Sequence, residues 1–244
     1  ELIRIAIKSM GLDELADFNP EEKIVEYKLY GKERFGKLIS MNLRAFANET
    51  ASESPAPGGG SIAAYVGSLG ISLATMVANL SSHKKGWDDR WKEFSDYAEK
   101  GQQLKDQLLK MVDEDTNAFN QIMAAFGLPK SNEEEKNIRK KAIQDATLNA
   151  INIPYKVMEL SLASMEIIKA MASIGNPNSV TDAGVGALCA RTAVIGAFLN
   201  VKINAGGLSD KAAAAQKIAD GELLVAQTEN LEKEIFAIVN SKIK

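Results

Sequence analysis

Cysteine and histidine are almost missing from this chain: one of each, Cys189 and His83, in 244 residues. A single cysteine excludes an internal disulfide and fits a reducing, cytoplasmic compartment. No Cys/His spacing suggests a zinc site, so no metal is expected. Aromatic residues are scarce, at 6%, and strand-like runs are rare. The one convincing period-2 run is Val25, Tyr27 and Leu29 within FNPEEKIVEYKLY. A β-rich fold is therefore excluded, and abundant alanine points to helix. The formal net charge of −3 leaves no broad basic footprint, so nucleic acid is not an expected partner. The chain starts at Glu1 without a signal peptide and reads as a piece of something longer. Residues 62–80 are mostly apolar, but Ser68, Ser72, Thr75 and Asn79 interrupt them. That pattern fits a buried helix of a soluble protein better than a membrane span, and no membrane partner is expected.

What is present is helical periodicity. Residues 1–31 read as a tail or linker, with a short helix over 2–10 that ends at Gly11. Residues 32–244 read as an all-α domain, a bundle of long helices. Expected helices cover 33–48, 61–81, 88–126 with a bend near Gly101, 132–153, a next one opened or kinked by Pro154, 179–204 and 209–238. Ser131 or Asn132 caps the fourth, and Ser209 the last.

The stretch PAPGGGS, 55–61, opens one of these helices. Its glycines fit a flexible turn, a close helix crossing, or free backbone N–H groups offered to a polar ligand. Gly60, Ala63, Gly67, Gly70 and Ala74 recur at three- and four-residue steps and form a seam poor in side chains. No Lys-Ser/Thr follows the glycines, and no strand precedes them, so neither a Walker loop nor a dinucleotide fingerprint is present.

Asp115, in KMVDEDTNAFNQI, stands out. At 100° per residue, Leu104, Leu108, Met111, Phe119, Ile122 and Phe126 fall within about 40° of it, while Asp113 points to the opposite, solvated side. An acid on an apolar face is either paired structurally or tuned for proton transfer. A second polar set, Asp182, Asn200 and Asn204, lies on one arc of about 80° with only Gly and Ala between. That arc suits a flat ligand or a close helix crossing. Lys84 and Lys85 fit either a bound carboxylate or phosphate, or plain solvation. His83 reads as a surface residue.

Together, APGGGS opening an alanine-rich helix, DTNAF, and GNPNSVTDA with FLNVKIN resemble the cyclodeaminase/cyclohydrolase family of tetrahydrofolate metabolism, in order over about residues 33–240. Residues 1–30 resemble the end of a glutamate formiminotransferase domain, which precedes the cyclodeaminase in two-domain members. The resemblance implies a helical bundle that forms a homodimer or higher oligomer, with its site near the subunit interface. It implies conversion of 5-formiminotetrahydrofolate to 5,10-methenyltetrahydrofolate and ammonia, with a tetrahydrofolate derivative as substrate and no cofactor. The folate is a mono- or polyglutamate. The family's catalytic acid carries over to Asp115. Gly58, Gly59, Gly60 and Ser61 would then donate to the folate, and Asp182, Asn200 and Asn204 would face the same pocket. Lys84 and Lys85 would reach the glutamate tail. Methenyltetrahydrofolate cyclohydrolase activity is the neighbouring alternative. A non-catalytic helical dimerisation module is the alternative from another class.

Overall fold

The computed structural model describes residues 2–12, 14, 18–24 and 38–243. All regular structure among them is helical. They fall into two compact units, Glu1–Ser40 and Met41–Lys244. The first holds α1 (Leu2–Ser9) and the short α2 (Pro20–Lys23). The strand expected at Val25, Tyr27 and Leu29 lies outside the described residues.

The second unit contains α3 (Leu43–Thr50), α4 (Gly59–Ser82), α5 (Trp91–Phe126), α6 (Glu133–Ile174), α7 (Val180–Ala205) and α8 (Lys211–Lys242). Of the helix expected over 33–48, residues 33–37 lie outside the described residues, and the described part is helical only from Leu43. Residues 38–40 form a turn, and Asn42 starts α3 by accepting the N–H of Ala45 at 2.8 Å. Asn132 caps α6 through the N–H of Glu135. At α8 the cap is Asp210, not Ser209: its Oδ1 accepts the Ala213 N–H at 3.0 Å, while the Ser209 N–H donates to the Gln144 amide oxygen at 2.6 Å. α5 continues as one helix through Gly101, which is buried against Thr75 of α4.

Pro154 neither opens nor ends a helix. α6 continues through it, buried on both flanks by Ile151, Val157 and Met158. A proline lacks the N–H that would bond the carbonyl four residues back. That carbonyl belongs to Ala150, and it accepts instead from the side-chain amide of Asn204 on α7, at 2.7 Å.

α4 and α7 form the inner antiparallel pair. Both are long and apolar enough, by length and composition alone, to cross a membrane, and both are here packed into the bundle. Neither carries a bulky side chain at the crossing. A Cβ on Gly70 would lie 2.8 Å from the Gly186 carbonyl oxygen and 3.0 Å from Cys189 Cβ. The backbones are thus in direct contact, and the glycine seam read from the sequence is a packing seam. α5 and α6 flank this pair, α8 closes over α6 and α7, and the core between them holds Ile71, Phe94, Leu108, Ile151, Met158 and Met165.

The Gly70→Ala variant should therefore lose about 1–3 kcal/mol, since the obstruction is backbone and cannot rotate away. Urea unfolding would measure it; an unchanged midpoint would refute direct backbone contact at the crossing.

Candidate active site

The first turn of any α-helix leaves N–H groups without an intrahelical acceptor. At α4 the cap residue is Gly58, which has no side chain to supply one. Asp115 of α5 does so instead. Its Oδ2 accepts from the Ser61 N–H at 2.8 Å and lies 3.1 Å from Ser61 Oγ. The carboxyl rests flat against Gly60, where any Cβ would overlap Oδ1. The third glycine of GGG thus makes room for an acid.

This carboxyl is mostly withdrawn from water, and burial pushes its pKa above the ordinary 3.8. The two Ser61 bonds stabilise the anion and oppose that rise without cancelling it. An acid withdrawn from water and held partly by a helix N-terminus is suited to exchange a proton with a bound ligand.

Asp115 opens on a cavity of about 130 Å³. Its walls include the Pro55–Ala56 turn, Gly58 and Gly59, Phe119 and Ile122 of α5, Ala150 of α6, and Asn200 and Asn204 of α7. Asn204 donates to a carbonyl, so its amide oxygen is the free end. Asn200 Nδ2 donates to the Gly196 carbonyl at 3.0 Å, which leaves its oxygen free as well. Two amide oxygens and a carboxyl make an acceptor-rich cavity for a ligand bearing N–H groups. Larger grooves of about 620 and 760 Å³ lie along the outer faces of α5, α6 and α8.

The structure divides the residues singled out from sequence. Asp115, Gly58, Gly59, Asn200 and Asn204 line one cavity. Gly60 and Ser61 lie directly behind it and face the acid rather than the space. Asp182 does not share the pocket with the asparagines. It sits in the first turn of α7, and 1.5 Å per residue puts it about 27 Å from Asn200. A helical projection shows angle and hides rise, hence the error. Lys84 and Lys85 follow the C-terminus of α4, about 35 Å from Gly59. Lys84 stands 4.1 Å over the Trp87 ring, which stacks on Phe94. His83 is exposed as expected, and Asp113 is half-buried rather than fully solvated. Thr116, Phe119, Ile122 and Ala150 were missed as cavity walls. Phe119 and Ile122 were legible only as apolar neighbours of Asp115.

A helical bundle with an acid on the N-terminus of a glycine-led helix defines the class, and comparison with known proteins narrows it. Residues 42–220 match the profile described as Formiminotransferase-cyclodeaminase, and residues 1–30 that of a formiminotransferase domain. The chain belongs to the formiminotransferase-cyclodeaminase family. A methenyltetrahydrofolate cyclohydrolase of Methylorubrum extorquens is 35% identical over 82% of this chain and 97% of its own. The formimidoyltransferase-cyclodeaminase of Rattus norvegicus is 34% identical over 85% of this chain. The match spans 38% of that relative's length. The crystal structure of formiminotetrahydrofolate cyclodeaminase from Thermotoga maritima superimposes with a TM-score of 0.70 at 26% identity, covering 82% of this chain and 96% of the other.

Because the folded pKa of Asp115 lies above its unfolded value, the folded state holds the extra proton between the two. Stability contributed by the neutral acid is therefore present at low pH and falls as pH rises through that window. Asp115→Asn, neutral at every pH, should raise Tm by about 2–4 °C at pH 7–8 and lose that advantage below pH 3.8. Calorimetry across pH would check this; equal Tm values at pH 7–8 would refute the raised pKa.

Proposed function

We propose that this chain is a formimidoyltetrahydrofolate cyclodeaminase, converting 5-formiminotetrahydrofolate to 5,10-methenyltetrahydrofolate and ammonia. The observation that carries the reading is the Asp115 carboxyl, buried, raised in pKa and open to an acceptor-rich cavity. N10 attacks the carbon of the formimino group, whose nitrogen is protonated, and forms the new C–N bond as the C=N double bond becomes single. Asp115 takes the N10 proton and passes it to the amino nitrogen, whose bond to carbon then breaks. Ammonia leaves, and the positive charge stays on the methenyl bridge. One carboxyl serves as base and then as acid. The free amide oxygens of Asn200 and Asn204 suit the N–H groups of the pterin or formimino end. The folate is substrate, and no separate cofactor enters the scheme. Ring closure is intramolecular, so holding the folate bent supplies part of the acceleration.

The test is a spectrophotometric assay of methenyl and ammonia formation from 5-formiminotetrahydrofolate. Asp115→Asn should retain folate binding and lose at least about 100-fold in kcat; undiminished turnover would remove Asp115 from the chemistry. The cyclohydrolase reading has support in the relative from Methylorubrum extorquens. Conversion of methenyltetrahydrofolate to the 10-formyl form, with no ammonia released from the formimino compound, would select it.

The assembly follows from an uncovered face. Leu69, Met76 and Leu80 of α4, with Val185, Leu188, Leu199 and Ile203 of α7, are exposed, at up to 76% for Ile203. Their spacings of three, four, seven and eleven residues keep them on one face of each helix, as in a helix-packing seam. Leu199 and Ile203 adjoin Asn200 and Asn204, so a second copy seated here lies at the cavity rim. The cavity is smaller than the ~300–1,000 Å³ of ordinary ligand pockets, which supports a further wall from outside the chain. Leu69→Glu with Leu188→Glu should convert a homodimer to monomer in size-exclusion light scattering; an unaltered mass would place any interface elsewhere.

The glutamate end of the folate suits a basic groove of about 410 Å³ formed with Lys130, Lys136, Arg139 and Lys140. Lys136 and Arg139 fall within about 40° of Ala150 on the projection of α6 but about 17–21 Å nearer its N-terminus, a distance the folate would have to bridge. The match of residues 1–30 supports a parent chain in which a formiminotransferase domain precedes this one.

A further inference from the structure

Ser61 was read from the sequence as a ligand donor, yet its side chain is fully buried and turned from the cavity. Its Oγ lies 2.8 Å from the Val112 carbonyl oxygen and 3.1 Å from Asp115 Oδ2. Thr116 Oγ1 is 3.5 Å away. A hydroxyl has one hydrogen, so it donates to the carbonyl or to the carboxyl, not to both. The Ser61 N–H has no such freedom and holds Oδ2. Among the described residues Oδ1 has no hydrogen-bond partner.

We propose that Ser61 is the positioning residue of the proton transfer. It commits Oδ2 to the start of α4, so Oδ1 is the oxygen that exchanges a proton with the substrate. Its hydroxyl follows the charge. With Asp115 ionised, the hydrogen points to Oδ2. When Oδ1 is protonated, the hydrogen turns to the Val112 carbonyl, which a helix carbonyl accommodates as a second acceptance. The proton moves only between Oδ1 and the substrate, and the serine gains and loses none. No other charge competes for this control: α4 has no charged residue, and the walls from α5, α6 and α7 are uncharged apart from Asp115 itself. The inference rests on Asp115 as the proton carrier of the proposed reaction.

Two variants separate the hydroxyl from the backbone donor. Ser61→Ala deletes only the hydroxyl, and Ser61→Thr restores it. The Asp115 carboxyl would be titrated by 13C NMR in the whole chain labelled at aspartate, its signal assigned by loss in Asp115→Asn. Ser61→Ala should shift its titration upward by about one pH unit, and Ser61→Thr should return it. The acid limb of the kcat profile should move by the same amount, with kcat down about tenfold and KM unchanged. An unmoved titration in Ser61→Ala would overturn the proposal, as would a raised KM at unchanged kcat, the signature of substrate contact. The titration needs no substrate. If it shifts as expected while even the wild type leaves folate unchanged, the hold of Ser61 on the acid stands and the folate reaction is what fails.

Discussion

The contact between the Asp115 carboxyl and the first turn of α4 decides most of this structure's chemistry. Two effects of opposite sign meet on it. Desolvation disfavours the anion, while the Ser61 N–H, its hydroxyl and the positive end of the helix favour it. Desolvation is the larger effect, so the pKa is raised, and the Ser61 bonds oppose that rise. That balance needs the carboxyl pressed against backbone, and Gly60 is the residue that permits it. A capping Ser or Asp at position 58 would have satisfied α4 locally and left the acid without its anchor. The glycine there hands the capping role to another helix.

The rest of the cavity depends on how α4 and α7 meet. Their backbones touch at Gly70 and Gly186, which carries the C-terminal end of α7 alongside the start of α4. A Cβ on Gly59 would stand 3.5 Å from the Asn200 amide nitrogen. Asn204 then reaches the Ala150 carbonyl that Pro154 leaves without a donor. This bond does two things. It relieves an unsatisfied backbone group deep in a 42-residue helix, and it orients the Asn204 amide with its oxygen outward. A feature that looks like a helix fault in the sequence thus sets the polarity of a ligand cavity.

The sequence showed the bundle well. Long periodic stretches gave the positions of α4 to α8, because one apolar face repeated over many turns leaves little alternative. Junctions were less legible. Pro154 was read from its local rule as opening or kinking a helix; it opens none, because buried flanks and a side chain 50 residues away keep α6 continuous. Asp115 was legible because a carboxylate interrupts an apolar face. Ser61 was assigned outward, since sequence gives position along a helix start but not which donor turns inward. Asp182 was grouped with Asn200 and Asn204 because a helical wheel discards distance along the axis.

The carboxyl by itself does not choose between the two reactions that this family's relatives are named for. Closing the ring onto a formimino carbon and adding water to a methenyl carbon both need a proton taken from a nucleophile and delivered to a leaving nitrogen. Asp115, Ser61 and Gly60 serve either equally. The difference is whether water or N10 stands against the carbon, and that is a matter of what the walls exclude. Those walls are Phe119 and Ile122 on the α5 side and the Pro55–Ala56 turn opposite. Phe119 is 40% exposed, so the cavity in a single copy is open on that side to water. A second copy seated over the apolar seam beside Asn200 and Asn204 would close the access that hydrolysis requires. Assembly and reaction choice would then be one question, because the exposed apolar seam runs to the rim of the cavity where the acid sits.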